Sequence, residues 1–588
     1  MIRKLYNFGK YIPEIYFEDN PLNLNLDYGK EDSKIVFLCF EKTNDIFEYK
    51  KIEIEDYDKT QNKSLYLLKN AKGNSVSPFP TLFFEGASIN NNQIDFNSKS
   101  WGKFLRIVEN NSNISENLKN LYLTIKNLNE ISLNIRDNFI LSIKINGEYI
   151  GKSEYYKEII SKSKEDLFNI FFFKHNTESR AKDKNCYLCN IKSEVWGYVD
   201  LGDFKFYSSN EDSVIAGGFK KEYSWRNYPV CPECAEKLFK YKVVIERKFN
   251  FRFWGFSYYL IPEIVFECND NNEIIKIITD DKYGLMNLKD KIETEEEIYD
   301  ILKSTKNFIT FNLFFYEKNN SEFKIIMSID DVFPSRFRKM SDVKKEVENI
   351  NLFKNIEFKK NEIKDLKFSF GVLKHFFPAS KIEGDFSKYF LEITRAIFSS
   401  RLIDYEFVIA RMIDKIRTDF LNDYPTYYDI LTAMMLIEFI SKLNLWNKKE
   451  NIKEKEIIMD GVYQTFFDEH KDFFNSNTKK AIFLEGVLCQ FLLDIQYRDR
   501  NATPFKSRLN GLKIDEQIIK RLLPEIINKL EEYKRNYYRE LESLISEYLL
   551  ESKFDMTNDE ISFYFVMGMN LAKKFKTKKD EELENGSN

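Results

Sequence analysis

Long apolar runs are missing from this sequence. None approaches the ~18 residues needed to span a bilayer, and the greasiest stretches, FNIFFF (168–173) and FITFNLFF (308–315), are strand-sized. The opening, MIRKLYNFGKYIPEIYFEDN, lacks the apolar core and cleavage site of a secretory signal. The expectation is a cytoplasmic protein without membrane association. Histidine is almost absent: the three present stand in KHN, KHF and EHK. None is followed by Asp, so an HD-type metal hydrolase has no support. G-x-S-x-G and G-x-G-x-x-G are also missing. NGEYIGKS (146–153) approximates a phosphate loop but is one residue short before Gly151-Lys152-Ser153, and it puts Asn146 in place of the first Gly. A positive charge excess is lacking too, since the formal net charge is −4. Contact with nucleic acid must therefore come from local basic patches or from partners that carry RNA. Binding or assembly is a better expectation than catalysis.

Cysteine is scarce, seven in 588 residues, and unevenly placed. NCYLCN supplies Cys186 and Cys189; VCPECA supplies Cys231 and Cys234. A two-residue gap lets both thiolates of a knuckle reach one ion at ~2.3 Å with tetrahedral angles. In a reducing compartment two such pairs point to a structural zinc rather than to disulfides. Four thiolates leave no open position of the kind a catalytic zinc keeps. The competing reading is two unlinked buried pairs. Cys39, Cys268 and Cys489 stand in apolar contexts and read as core residues.

The fold class expected is α+β multidomain: a mixed α/β N-terminal region with a four-cysteine zinc-binding insertion, then a C-terminal α-helical bundle. KIVFLCF (34–40) and SLYLL (64–68) read as buried strands. FILSIKINGEYIGK (139–152) reads as a hairpin, with Asn146-Gly147 as its type I′ turn. SEYYKEIISKSKEDLFNIFF (153–172) reads as helical, and KVVIERKFNFRFWGFSYYL (242–260) and NFITFNLFFY (307–316) as strand-like. From about residue 380 helix follows helix. Residues 514–550 carry an amphipathic stripe that Pro524 is expected to split or kink, and Thr557 with Glu560 forms a capping box. The division expected is 1–180 and 241–380 for the α/β part, 181–240 for the zinc insertion, 381–576 for the bundle and 577–588 for a disordered tail.

Three stretches resemble a known family, the large subunit of the type I-B Cascade, a CRISPR-associated, crRNA-guided surveillance complex. They are MIRKLYNFGKYIPE, the cysteine block with FKKEYSWRNYPVCPECAEKL, and FLEGVLCQFLLDIQYRDRNATPFKSRLNGLKIDEQIIKRLLPEIINKLEEY with ISFYFVMGMNLAKKF. The resemblance implies a non-enzymatic subunit. It would recognise the PAM, a short motif flanking the target on duplex DNA, assist R-loop formation, hold the displaced strand and recruit a helicase–nuclease. Implied partners are the Cascade backbone and crRNA-processing subunits, the crRNA, target duplex, displaced single strand and helicase–nuclease. The resemblance also implies that the C-terminal part is like the complex's small subunit. That subunit would be made separately if translation began internally at Met412 or Met459.

Contact with DNA needs cationic or amide donors on accessible loops. YRDRNATPFKSRLNGLK (497–513) offers Arg498, Arg500, Lys506, Arg508 and Lys513, and is a candidate path for displaced single-stranded DNA. Phe505 there reads as a core anchor before a stacking platform. The loop-rich stretches 70–80 and 86–104 offer Lys72, Asn74, Asn90, Asn91, Asn92, Gln93, Lys99 and Lys103 for duplex reading. Lys220, Lys221, Trp225 and Arg226 precede the second cysteine pair, where a metal staple would present them. Ordinary surface loops are the competing reading throughout. Two other functions stay open: a zinc-stabilised nuclease or other enzyme on nucleic acid, and a zinc-stapled interaction scaffold.

Overall fold

The computed structural model describes residues 2–17, 26, 33–44, 46–57, 63–69, 77–85, 88–109, 116–128, 131–135, 137–174, 176–199, 218, 220–265, 302–303, 309–319, 322–359, 362–380, 384–447, 461–535 and 537–576. The protein is mixed α/β with a C-terminal helical region, and it separates into two compact units. The first holds residues 1–250, 261–289 and 318–324; the second holds 251–260, 290–317 and 325–588.

The first unit begins with helix α1 (Ile2–Gly9) and strands β1 (Lys34–Thr43), β2 (Ile46–Asp56) and β3 (Leu82–Phe84). A tight hairpin of β4 (Ile89–Asn90) and β5 (Gln93–Ile94) leads to helices α2 (Lys99–Glu109) and α3 (Glu116–Lys126). Strands β6 (Phe139–Ile145) and β7 (Glu148–Tyr149) follow. The main sheet has the order β2-β1-β6-β3, with β7 also on β6; β1 and β6 are parallel and the other pairs antiparallel. Alternation along β1 and β6 serves two cores. Val36, Leu38, Leu141 and Ile143 pack among Trp101, Phe104, Leu121 and Ile125 of α2 and α3. Ile35, Phe37, Cys39 and Ile140 face the other way, among Tyr57, Tyr66 and Leu68. A central strand buried on both faces loses its polar/apolar alternation, and the sequence of KIVFLCF shows that pattern. The Asn146-Gly147 turn has positive φ at both residues, as type I′ demands.

SLYLL is no strand. Lys63–Leu65 form one 3-10 turn, and Leu67 has φ 52°, which no ladder accommodates; Tyr66 and Leu68 are apolar because they cover the sheet.

Helix α4 (Lys157–Asn169) precedes two ribbons, β8 (Phe173–Lys174) with β9 (Thr177–Glu178), and β10 (Arg180–Asn185) with β11 (Lys192–Trp196). Helix α5 (Pro232–Lys248) then takes the first seven residues of the segment expected to be extended. Pro232 at its first position and a buried stripe of Leu238, Tyr241, Val244 and Ile245 make it a helix. Strands begin only at Asn250.

The second unit takes in most of a four-stranded sheet ordered β12 (Asn250–Phe253), β13 (Phe256–Ile264), β14 (Ile309–Asn319) and β15 (Glu322–Val332). Ten helices among the described residues follow. They are α6 (Pro334–Glu348), α7 (Phe370–Phe376), α8 (Ser387–Phe398), α9 (Tyr405–Leu421), α10 (Tyr427–Lys442), α11 (Val462–Glu469), α12 (Asn477–Arg500), α13 (Glu516–Glu532), α14 (Arg539–Leu550) and α15 (Asn558–Leu571). The long α12 is mostly buried from Asn477 to Gln496 and exposed over its last turn, and α15 lies across it. At the crossing a methyl on Gly486 would sit 3.0 Å from the Phe565 carbonyl carbon, and one on Gly568 would sit 2.9 Å from that of Phe483. Hydrogen in place of Cβ on both helices lets the backbones touch. Thr557 caps α15 as expected, its hydroxyl accepting from the Glu560 N–H at 3.2 Å. The 514–550 segment does break in two, but at residues 533–538, where Lys534 has φ 53°. Pro524 stays inside α13.

Candidate metal centre and nucleic-acid surfaces

Cys186 and Cys189 stand in the turn between β10 and β11, and Cys231 is the N-cap of α5 with Cys234 in its first turn. An antiparallel bridge between Trp196 and Val230 brings the ribbon to the helix start. The four sulphurs all lie within 4.8 Å of one another, and Cys189 Sγ is 3.8 Å from Cys231 Sγ. A tetrahedron of thiolates at ~2.3 Å from one ion has edges of about 3.8 Å, so the four-thiol set fits a zinc-sized ion.

The electrostatics support the same conclusion. The Cys186 thiol is held down to about 4, first by its hydrogen bond with the Cys234 thiol, then by N–H groups of Cys189, Cys231 and Leu188. Burial pushes Cys231 up to about 11, and the bond with Cys186 raises Cys234 further. Thiolates packed at this spacing repel one another, and a divalent cation among them offsets that repulsion. Of the four, only Cys189 is more than slightly exposed.

One neighbour carries no sequence motif for metal. The Tyr6 hydroxyl on α1 lies 3.2 Å from Cys234 Sγ. Arg3, one turn earlier, donates to the Tyr187 carbonyl at 3.0 Å and stands 4.4 Å above its ring. Gly9 fits α1 against Tyr241 of α5, where a Cβ would enter the ring. The segment IRKLYNFG (2–9) is therefore a brace for the cysteine cluster. Its spacing to the cysteines, about 180 residues or more, hides that from sequence reading.

The other expected residues fall into three places. Asn90, Asn91, Asn92 and Gln93 form the tip of the β4–β5 hairpin, all exposed, with Asn91 and Asn92 at positive φ. Lys99 and Lys103 are exposed one turn apart on α2, whose other face buries Trp101 and Phe104. Lys72 and Asn74 lie outside the described residues, as do Cys268 and Met459.

Lys220, Lys221 and Arg226 flank and form the 3-10 segment Lys221–Arg226 just before the second cysteine pair. Arg226 stands 4.5 Å from the Tyr223 ring and 5.4 Å from that of Trp225.

In the second unit the link after α12 is not a loose connector. Phe505, Leu509 and Leu512 are buried, and Phe505 is 5% exposed, a core anchor. Arg417 of α9 donates to the Leu512 carbonyl at 3.0 Å while pairing with Asp559 of α15 at 2.7 Å. Lys506 is tied to Asp423 and to the Phe420 carbonyl. Asp499 is answered by Arg498 and Arg535. Arg500 lies over the Tyr533 ring at 5.0 Å. Arg508 and Lys513 are exposed and make no ion pair among the described residues.

The arrangement defines a multidomain α/β protein with a four-thiol cluster at a helix start and a helical C-terminal region. Models for the CRISPR-associated protein TM1802 (cas_TM1802) match it in three parts: the N-terminal domain over residues 1–162, the central domain over 183–332 and the C-terminal domain over 368–583. The chain belongs to that family. A search of curated proteins returns no match. No helix among the described residues is long and apolar enough to cross a membrane.

Proposed function

We propose that the protein is the non-enzymatic large subunit of a type I-B Cascade. It would read the PAM on duplex DNA, help the crRNA open the duplex, hold the displaced strand and recruit the helicase–nuclease. The family match along the three domains carries the CRISPR-associated part of this reading. One structural observation supports the DNA contact: Arg508 and Lys513 stand exposed, without acidic partners among the described residues, on a link fastened by Arg417 and three apolar anchors. A fixed pair of unpaired cations is suited to phosphates, because its ordering cost is already met. The amide-tipped β4–β5 hairpin, with Lys99 and Lys103 beside it in the chain, is the duplex-reading candidate. Zinc in the four-cysteine cluster has a structural role: its ligand set is all thiolate and three of the four cysteines are buried.

An internally started small subunit is compatible with Met459 rather than Met412. Met412 is 0% exposed in the middle of α9, so a start there would cut a packed helix in two. A start at Met459 keeps α11 to α15 whole. A wild-type complex showing only the full-length chain on a denaturing gel would sink this idea.

The test is reconstitution with crRNA and the backbone subunits, followed by binding to target duplexes with and without the flanking motif. Motif-dependent binding, with permanganate-reactive thymines in the displaced strand, is expected. Arg508→Ala/Lys513→Ala should bind the motif but lose protection of that strand. Metal-dependent turnover of DNA by the purified chain alone would overturn the reading in favour of a nuclease.

A further inference from the structure

We infer that the β10–β11 ribbon and the 3-10 segment Lys221–Arg226 form a phosphate-contacting platform for nucleic acid, held in shape by the four-cysteine cluster. The inference rests on the Proposed function and extends the Lys220, Lys221 and Arg226 candidates to a surface shared with the β10–β11 ribbon, which no sequence motif marks. Strand β10 reads Arg-Ala-Lys-Asp-Lys-Asn, and five of its six residues are exposed. These residue types are poor strand formers with little to bury. Its partner β11 is its only neighbour in the sheet among the described residues, and the ribbon packs through β11, where Val195 is buried and Trp196 lies against Phe171 and Phe172, so β10 itself is left outermost. The ribbon is also fixed at its ends. The Cys186–Cys189 turn joins its strands, and Arg180 pairs in register with Trp196, which bridges to Val230 beside Cys231.

What the ribbon presents is cationic. Lys184 lies 5.7 Å from the Trp225 ring, and Arg226 lies 5.4 Å from the same ring. Lys182 stands two residues along the strand, and Lys220 opens the 3-10 segment. All four are exposed, and none makes an ion pair among the described residues. The exposed acids among them are Asp183, in the bulge of β10, and Glu222. Cations seated on aromatic rings are held at a fixed height with their outer N–H groups free. Such groups meet the spaced oxygens of a phosphodiester backbone, and a half-buried Trp between them suits a stacked base. The shared chemistry is the backbone of a polynucleotide, single-stranded or duplex.

The experiment is fluorescence anisotropy of the zinc-loaded full chain with a labelled single strand and the corresponding duplex, between about 50 and 200 mM salt. Wild type is compared with Lys184→Ala/Arg226→Ala and with Arg508→Ala/Lys513→Ala. Both changes in the ribbon variant are at exposed positions, and bound zinc is measured on each protein to show that the cluster persists. Loss of two phosphate contacts lowers the slope of log affinity against log salt by about 1.4–1.8. That fall, on either probe, supports the platform, and the probe that shows it identifies the strand form. An unchanged slope in the ribbon variant, with a fall in the link variant, overturns the platform and leaves the Proposed function standing. No binding by wild type to either probe overturns the platform as well, while motif-dependent binding by the assembled complex still tests the broader reading. Unchanged anisotropy with loss of a protein subunit from the reconstituted complex would reassign the surface to a protein contact and overturn the inference.

Discussion

Replacing Gly486 by Ala tests the packing of the C-terminal region most directly. The added methyl would overlap the Phe565 carbonyl oxygen, stand 3.0 Å from its carbon and 3.2 Å from the Met569 nitrogen. These are backbone atoms inside a buried helix, so no side chain can swing aside. The seam between α12 and α15 must open instead. A gap of about 0.5–1 Å forfeits a quarter to a half of each dispersion contact along it. Overpacking of this kind costs about 1–3 kcal/mol, and a fully buried backbone contact belongs at the upper end. For a unit of this size that is a fall in Tm of about 2–5 °C. Gly568→Ala strikes the same crossing from the other side, 3.0 Å from the Val487 nitrogen, and should cost a similar amount. The two costs should not add. Once the helices have parted for one methyl, the second enters space already opened, so the double variant should be nearer to either single variant than to their sum. Thermal and urea unfolding followed by circular dichroism would measure this. Additivity within about 0.5 kcal/mol, or single losses below that value, would refute a close reciprocal crossing.

Cys186→Ser should abolish stoichiometric zinc, read by metal analysis, and destabilise the ribbon and the start of α5 by an amount on the order of 10 kcal/mol shared with α1 packing; undiminished zinc would refute the site. His470, 3% exposed, is held down to about 4, first by burial and then by the nearby Lys574 charge. The unfolded chain then takes up a proton below its ordinary value of about 6.5 that the folded one refuses, so this contribution is intact above that pH and falls by up to about 3 kcal/mol as pH drops to about 4. His470→Asn should flatten this part of the slope, and a stability difference between variant and parent that does not change with pH would contradict it. Thr557→Ala removes the cap of α15 and should cost about 1 kcal/mol in the same unfolding assay.

Local chemistry was readable where one short segment contains its own reason. Asn146-Gly147 specifies its turn and Thr557 its cap, because each is satisfied by neighbours in the chain, and the unbroken apolar run of KIVFLCF marks a buried strand wherever its partners come from. The two C-x-x-C pairs likewise announce a four-sulphur cluster, since the thiol spacing within each pair is local geometry. SLYLL and KVVIERK misled for the opposite reason. Both are apolar enough to be strands, but one is a lid on a sheet and the other the buried stripe of a helix begun at Cys231 and Pro232, many residues earlier.

The sequence by itself determined the CRISPR-associated family, the four cysteines that cluster, the mixed α/β start and the helical end. Tertiary structure alone decided which residues serve those features. Tyr6 meets Cys234 across more than 200 residues, Arg417 fastens the basic link, and Asp423 and Asp499 occupy cations that looked available. It also decided why two glycines stand in GVL and MGMN: they are a single contact, made from opposite sides. Contacts of this range are set by how helices and ribbons close on one another, and no local periodicity records them.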